Sequence, residues 1–144
     1  MSSAFTISYS ASSNQLRSPV VIKPYGDNGS YSDRVAVWDT GAMKTTISTE
    51  LAKELSLSII SYVHVSTPNG KSLVPCYYVD VSLPNGVTVV KVFVLGGVLA
   101  GFDVLVGMDI INLGDFAVTN FNGKTVFSYR VPSLSTIDFV PKMS

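Results

Sequence analysis

The sequence predicts a mostly β domain, a small barrel or sandwich with two short helices. Apolar, β-prone runs recur along the whole chain, at residues 19–25, 34–38, 73–83, 87–95 and 103–107. Pro, Asn and Gly cluster between those runs, as turns between strands require. Helical spacing of apolar residues is confined to two short stretches. A chain of 144 residues fits one domain with a real core. With 47% hydrophobic and only 14% charged residues, disorder is excluded. Mean hydropathy of +0.37 also suggests that some apolar surface is shared with a partner.

Residues 1–18 are Ser-rich, and the alternation Phe5-Thr6-Ile7-Ser8-Tyr9 fits an edge strand, with a flexible arm as the alternative. Residues 19–25 read as a strand closed by Pro24, and Gly26-Asp27-Asn28-Gly29-Ser30 as a polar loop. Residues 34–38 return as the second arm of a hairpin and deliver Asp39 at their end. Residues 43–47 are again β-prone. Ser48 or Thr49 can cap a helix over residues 49–55, with Glu50 in its first turn and Leu51, Ala52 and Leu55 on its apolar face. Glu50 and Glu54 are expected to be solvated.

From Ile59 the pattern is β. Thr67-Pro68-Asn69-Gly70 supplies a turn, and Pro84-Asn85-Gly86 repeats its chemistry sixteen positions later. Pro75 argues that the first part of the 73–83 strand lies at an edge. Gly96-Gly97 is expected to break the 87–95 strand. Residues 103–107 form a buried strand, and residues 108–114 a short helix closed by Gly114. Residues 116–119 and 125–129 flank Asn122-Gly123, a hairpin signal. Residues 133–144 show no pattern and read as a tail.

The stretch Val35-Ala36-Val37-Trp38-Asp39-Thr40-Gly41-Ala42 carries the chemistry. An unpaired carboxylate at the end of a buried strand costs several kcal/mol to desolvate, roughly, unless donors meet it. Gly41 permits a tight turn that aims backbone amides back at the acid. A carboxylate held that way suits catalysis better than packing, although an ordinary turn after a strand is the plain alternative.

Trp38-Asp39-Thr40-Gly41-Ala42 after an apolar strand resembles the active-site loop of retropepsin-like aspartic proteases. About 65 residues later, Val104-Leu105-Val106-Gly107-Met108-Asp109-Ile110-Ile111 resembles their second signature, an apolar strand, a Gly and a short helix. A flap-like hairpin lies between the two. The resemblance covers residues 20–132, and residues 19–132 are taken as the protease domain. It implies a small closed acid-protease barrel and an aspartic endopeptidase, a hydrolase that needs no metal or other cofactor.

Such enzymes activate a water between two carboxyls about 3 Å apart, which cannot both ionise, so their pKa values split. This chain holds one Asp-Thr-Gly. Asp27 falls in the polar loop, and Asp109 at a helix start is expected to cap it. The resemblance therefore implies a homodimer in which Asp39 meets its symmetry mate. Asp39 is the expected catalytic residue. Thr40 is expected to lock the paired loops across the two-fold, the Gly41 backbone to approach carboxylate and substrate, and Ala42 to replace the Ser found in other members. Thr67, Pro68, Asn69 and Gly70 form the expected flap over a peptide or protein substrate.

Three residues depart from the family pattern. Met43 stands where viral members carry an acid, and Met108 where many carry a base, as if apolar contact replaced an ion pair. Trp38 is bulkier than the usual aliphatic, and nothing in the sequence accounts for it. His64 and Cys76 do not make a convincing nucleophilic pair, because Cys76 sits in a β run as a small hydrophobe. The lone Cys excludes a disulfide framework, and with one His a Cys/His metal site is not expected. Formal net charge is zero and no Lys/Arg cluster appears, so nucleic acid and membrane are poor partners. A cytoplasmic location is the expectation. The rival reading is a catalytically silent dimerisation or peptide-binding module on the same fold.

Overall fold

The structure, a computed structural model, describes residues 3–26 and 30–142. Asp27, Asn28 and Gly29, expected as a polar loop, lie outside the described residues. The chain runs β1 (Ser3–Ser8), β2 (Arg17–Pro24), β3 (Ser32–Trp38), β4 (Thr46–Ser48), α1 (Thr49–Glu54), β5 (Ser61–Thr67) and β6 (Gly70–Ser82). It continues through β7 (Thr88–Gly97), β8 (Val104–Val106), α2 (Met108–Ile111), β9 (Asp115–Thr119), a 3-10 turn (Phe121–Gly123) and β10 (Val126–Val131). The mainly β, two-helix expectation is met.

Seven strands form one sheet in the order β2-β3-β8-β4-β7-β6-β5. Residues Val21, Ile22, Lys23 and Pro24 of β2 also pair antiparallel with β6, which joins the two ends of the run from β2 to β6 as a small barrel requires. Inside it pack alternate residues of successive strands: Val20 and Ile22, Ala36 and Trp38, Val79 and Val81, Val104 and Val106, all buried. Each such Val or Ile contributes roughly 1.5–3 kcal/mol of transfer free energy.

The second sheet, β1-β10-β9, is antiparallel. The alternating N-terminal patch is therefore an edge strand. Trp38 joins the two sheets. Its ring stacks on Phe116 at 5.9 Å and 8°, lies 5.0 Å from Tyr129 and 5.6 Å from Phe5, and its Nε1 donates to Ser18 Oγ at 2.8 Å. A large aromatic is needed there because one side chain fills the gap between two sheets and still finds a partner for its N–H.

Ser48 caps α1, its hydroxyl accepting from Leu51 N at 3.1 Å. Glu54 is exposed, as expected, and Arg34 of β3 reaches it; the same guanidinium lies 3.3 Å from Asp103. Gly96-Gly97 does not break β7, because Ile47 and Ser48 of β4 pair with these two residues in parallel. A Cβ at Gly96 would stand 3.0 Å from the Tyr77 ring and 3.1 Å from the Pro75 ring, so glycine allows the sheet to continue through a crowded crossing. Gly114 likewise does not act as a left-handed cap, since α2 ends at Ile111 with Asn112 as its C-cap and Gly114 has no positive φ. A Cβ there would meet the Arg130 carbonyl at 1.8 Å, so Gly114 permits the close approach of β10. Residues 70–75 pair with β5 alone, since β7 joins β6 only from Cys76, so Pro75 does sit where one flank is open.

Candidate active site

β3 and β8 run parallel and in register, with Trp38 opposite Val106. The Asp39 amide extends that ladder by one bond, donating to the Val106 carbonyl at 2.9 Å. The chain then turns sharply. Ala42 N donates to the Asp39 carbonyl at 3.2 Å, and Gly41 N donates to Asp39 Oδ1 at 2.8 Å. The amide is thus aimed back at the acid. A Cβ at Gly41 would lie 3.1 Å from that same oxygen. Asp39 is half-buried and Thr40 is exposed. Among the described residues no other group hydrogen-bonds the Asp39 carboxylate.

The loop is fastened to α2 from beneath. Met108 N donates to the Ala42 carbonyl at 2.7 Å, and Gly107 N donates to Thr45 Oγ1 at 3.2 Å. Asp109 does not cap α2; that place belongs to Gly107, which has no side chain to offer. Instead its carboxylate takes Thr45 N at 2.9 Å, Thr45 Oγ1 at 2.7 Å and Ile110 N at 2.9 Å. The sequence names Gly107 only as the glycine of the second signature, and Thr45 not at all. The signal was weak: a buried Thr in a β-prone run, and a Gly before a helix. A Cβ on Gly107 would meet Lys44 C and O at 2.8 Å and Ala42 O at 2.9 Å, which explains the requirement for glycine where helix and loop touch.

Met43 is 83% exposed, whereas Met108 is half-buried and packs against the core. Behind α2, Tyr129 donates to the Ile110 carbonyl at 2.7 Å, and burial pushes its phenol up to about 12. At the start of β9, the hydroxyl of Ser133, the amide of Leu134 and the Arg130 guanidinium hold the Asp115 carboxyl well below the usual carboxylate range.

Thr67, Pro68, Asn69 and Gly70 make the tip of the β5–β6 hairpin, where Thr67 pairs with Gly70 and its hydroxyl donates to the Gly70 carbonyl at 2.7 Å. All four are exposed. Below this hairpin lies an open, mostly apolar groove of about 620 Å³, lined by Thr67, Leu73 and Pro75 on the hairpin side and by Thr46, Leu95 and Val98 opposite. Among the described residues no charged side chain lines it. The chemically identical turn at Asn85 lies elsewhere: its side chain donates to the Ser3 carbonyl at 3.0 Å, against β1. Cys76 is fully buried while His64 is exposed, three rungs further along the β5–β6 ladder, so they form no pair. Among the described residues no group of three or more His, Cys, Asp or Glu could hold a metal ion. No helix among them is long and apolar enough to cross a membrane.

A barrel that sets Asp-Thr-Gly at the end of one strand, over a Gly-led helix after its parallel neighbour, is the architecture of an acid-protease lobe. The chain belongs to the aspartyl protease family, whose model matches residues 28–110. Among solved structures it is similar to a retropepsin-like aspartic protease from Rickettsia conorii, with a TM-score of 0.56 and 13% identity over 91% of this chain and 96% of that one. The protease of Simian foamy virus (mac) aligns over 66% of this chain and 92% of that one at 20% identity, with a TM-score of 0.47, too low to argue from. No curated protein matches.

Proposed function

We propose that the chain is an aspartic endopeptidase that acts as a homodimer, one Asp39 from each copy sharing a water and a proton. The observation that carries this reading is the unequal state of the two acids near the loop. Asp109 accepts from three donors and is committed to the scaffold. Asp39 accepts from one amide, at the edge of a loop whose next residue is exposed. An acid/base pair needs a second carboxyl, and Asp109 is not free to be it. A second copy provides one by symmetry.

In that arrangement the ionised Asp39 takes a proton from the water, whose oxygen adds to the peptide carbonyl carbon. The protonated Asp39 of the other copy gives its proton to the carbonyl oxygen. Collapse of the tetrahedral intermediate breaks the C–N bond, the amine leaves with the proton the first carboxyl had taken, and one hydroxyl proton returns to the other carboxyl as the C=O re-forms. Thr40 lies where the loops would meet, and the Gly41 backbone where substrate would pass. The 67–70 hairpin would close over an extended peptide and exclude water. The apolar groove beneath it supports this placement.

The test is cleavage of a peptide library at mildly acid pH. Wild-type protein should cleave, and Asp39→Asn should not, while its unfolding midpoint and sedimentation stay those of the wild type. Full cleavage by Asp39→Asn sinks the reading. Wild-type protein that dimerises and binds peptides without cutting them supports the silent-module reading instead.

A further inference from the structure

β3 turns Ala36 and Trp38 into the core and its alternate residues to the other face. On that outer face Val37 stands in register with Leu105 of β8 on one side and with Arg17 of β2 on the other. Two cavities lie along it. The first, of about 470 Å³, reaches Asp39 and is lined by Gln15, Val37, Leu105 and Phe102. The second, of about 490 Å³, is lined by Arg17, Val35, Asp103 and again Phe102. Phe102 belongs to both, so together they make one path that leads away from the acid. Arg17 sits at the junction, where its Nε donates to Gln15 Oε1 at 2.8 Å. That bond orients the guanidinium without neutralising it.

The other charges on the path are differently placed. Arg34 is matched by Glu54 and Asp103, and Asp103 also accepts from Ser48 Oγ at 2.7 Å. Asp33 is exposed and lies opposite Val21, four residues from Val37 and so roughly 13 Å further out. Among the described residues no carboxylate pairs with Arg17, which is half-buried. A planar guanidinium in that state is built to take a carboxylate through two parallel N–H donors. We propose that Arg17 is a specificity determinant that receives an acidic side chain of the substrate. An extended peptide sets same-side side chains about 7 Å apart, the span of two strand residues and so of Asp39 to Val37. A residue seated on Val37 and Leu105 flanks the cut, and the next on the same side, third from the cut, reaches Arg17. The inference rests on the homodimer reading above and adds the substrate class: an apolar residue at the cut and an acid at the third position. With two equal copies it applies on both sides of the cut.

The peptide library gives a parent sequence that the full chain cuts, and its third residue on each side of the cut is then set to Asp, Ala or Lys. At about pH 5.5 a substrate Asp is ionised. kcat/KM should fall from Asp to Ala to Lys, at least about threefold for Asp over Ala at one position, the size of a partly exposed ion pair. Asp at both positions should gain about tenfold, since distant sites add. Salt at about 1 M should shrink the preference. Arg17→Gln should abolish it, Arg17→Lys should keep part of it, and Arg17→Glu should favour Lys instead. Each ratio is read within one preparation, so a variant that folds less well still reports it. Lys124→Gln removes an exposed cation outside both cavities and should leave the ratio unchanged. Equal cleavage of Asp and Ala peptides by the wild type, or a preference that survives Arg17→Gln, would overturn the role of Arg17 and leave the endopeptidase standing. Wild-type protein that cuts no peptide would overturn both.

Discussion

Asp39 and Asp109 follow the parallel neighbours β3 and β8, one and three residues past their ends, and the chain treats them in opposite ways. Asp109 is met by Thr45 N, Thr45 Oγ1 and Ile110 N, which ties the active-site loop to α2. Among the described residues, Asp39 is met by Gly41 N alone. A carboxylate with its lone pairs occupied by fixed donors is a structural tie. One with a single donor has acceptor capacity left for water, substrate or a second acid. The distinction lies in the donors, since both acids follow apolar strands.

The largest effect should separate these roles directly. Asp39→Asn should lower cleavage by at least about a hundredfold, the low end of a general acid–base contribution, and leave stability alone. Asp109→Ala should do the reverse at the level of folding. It strands the Thr45 amide and hydroxyl, and a loss of about 3 kcal/mol in urea unfolding is expected. An Asp109→Ala protein as stable as wild type would break the comparison. Gly107→Ala attacks the same junction from the backbone side, because its Cβ would press on Lys44 C and O at 2.8 Å. About 2 kcal/mol of destabilisation is expected, with cleavage reduced through displacement of the loop.

The two Pro-Asn-Gly turns sharpen the same lesson at lower energy. Asn85 bonds Val87 N at 3.2 Å and the Ser3 carbonyl, so Asn85→Ala should cost about 1 kcal/mol in stability with cleavage per folded molecule unchanged. Asn69 sits exposed at the hairpin tip. Pro68→Gly should leave the unfolding midpoint nearly unchanged while lowering cleavage, because a looser tip closes less well over substrate. Equal effects of both turns on cleavage would remove the reason to call one of them a flap.

The smallest effect is alkaline. The Tyr129 phenol has its pKa raised to about 12, so the neutral form is favoured in the fold. Its contribution is complete below pH 10, the ordinary value, and is lost as pH rises from there through about 12. Absorbance titration should show a late-ionising tyrosine whose ionisation coincides with unfolding, and Tyr129→Phe should abolish that late step.

Much of this was legible along the chain. Apolar runs with turn residues between them define strands, since a period of two and a φ-permissive turn are local properties. The cap at Ser48, the hairpin at Asn122-Gly123 and the sharp turn at Asp39-Thr40-Gly41 are local too. Other features had no local signal. Gly96, Gly97 and Gly114 read as breakers in one dimension, yet they allow crossings between strands far apart in sequence. Glu54 stays exposed, as its sequence suggests, but the Arg34 that β3 brings beside it had no local signal. Trp38 reads as an oversized strand residue until a second sheet supplies Phe5, Phe116 and Tyr129 around it.

The sequence by itself therefore determined the β class, the position of the acid and the glycine that turns an amide toward it, because each depends on neighbours a few residues away. Only the tertiary structure decided which acid is tied down and which is left open, and which of two identical turns overhangs a groove. It also decided that the segment after β10 lines one cleft with Thr40. Those outcomes depend on which distant donors and walls the fold brings within about 3 Å of each group, and no local pattern encodes that.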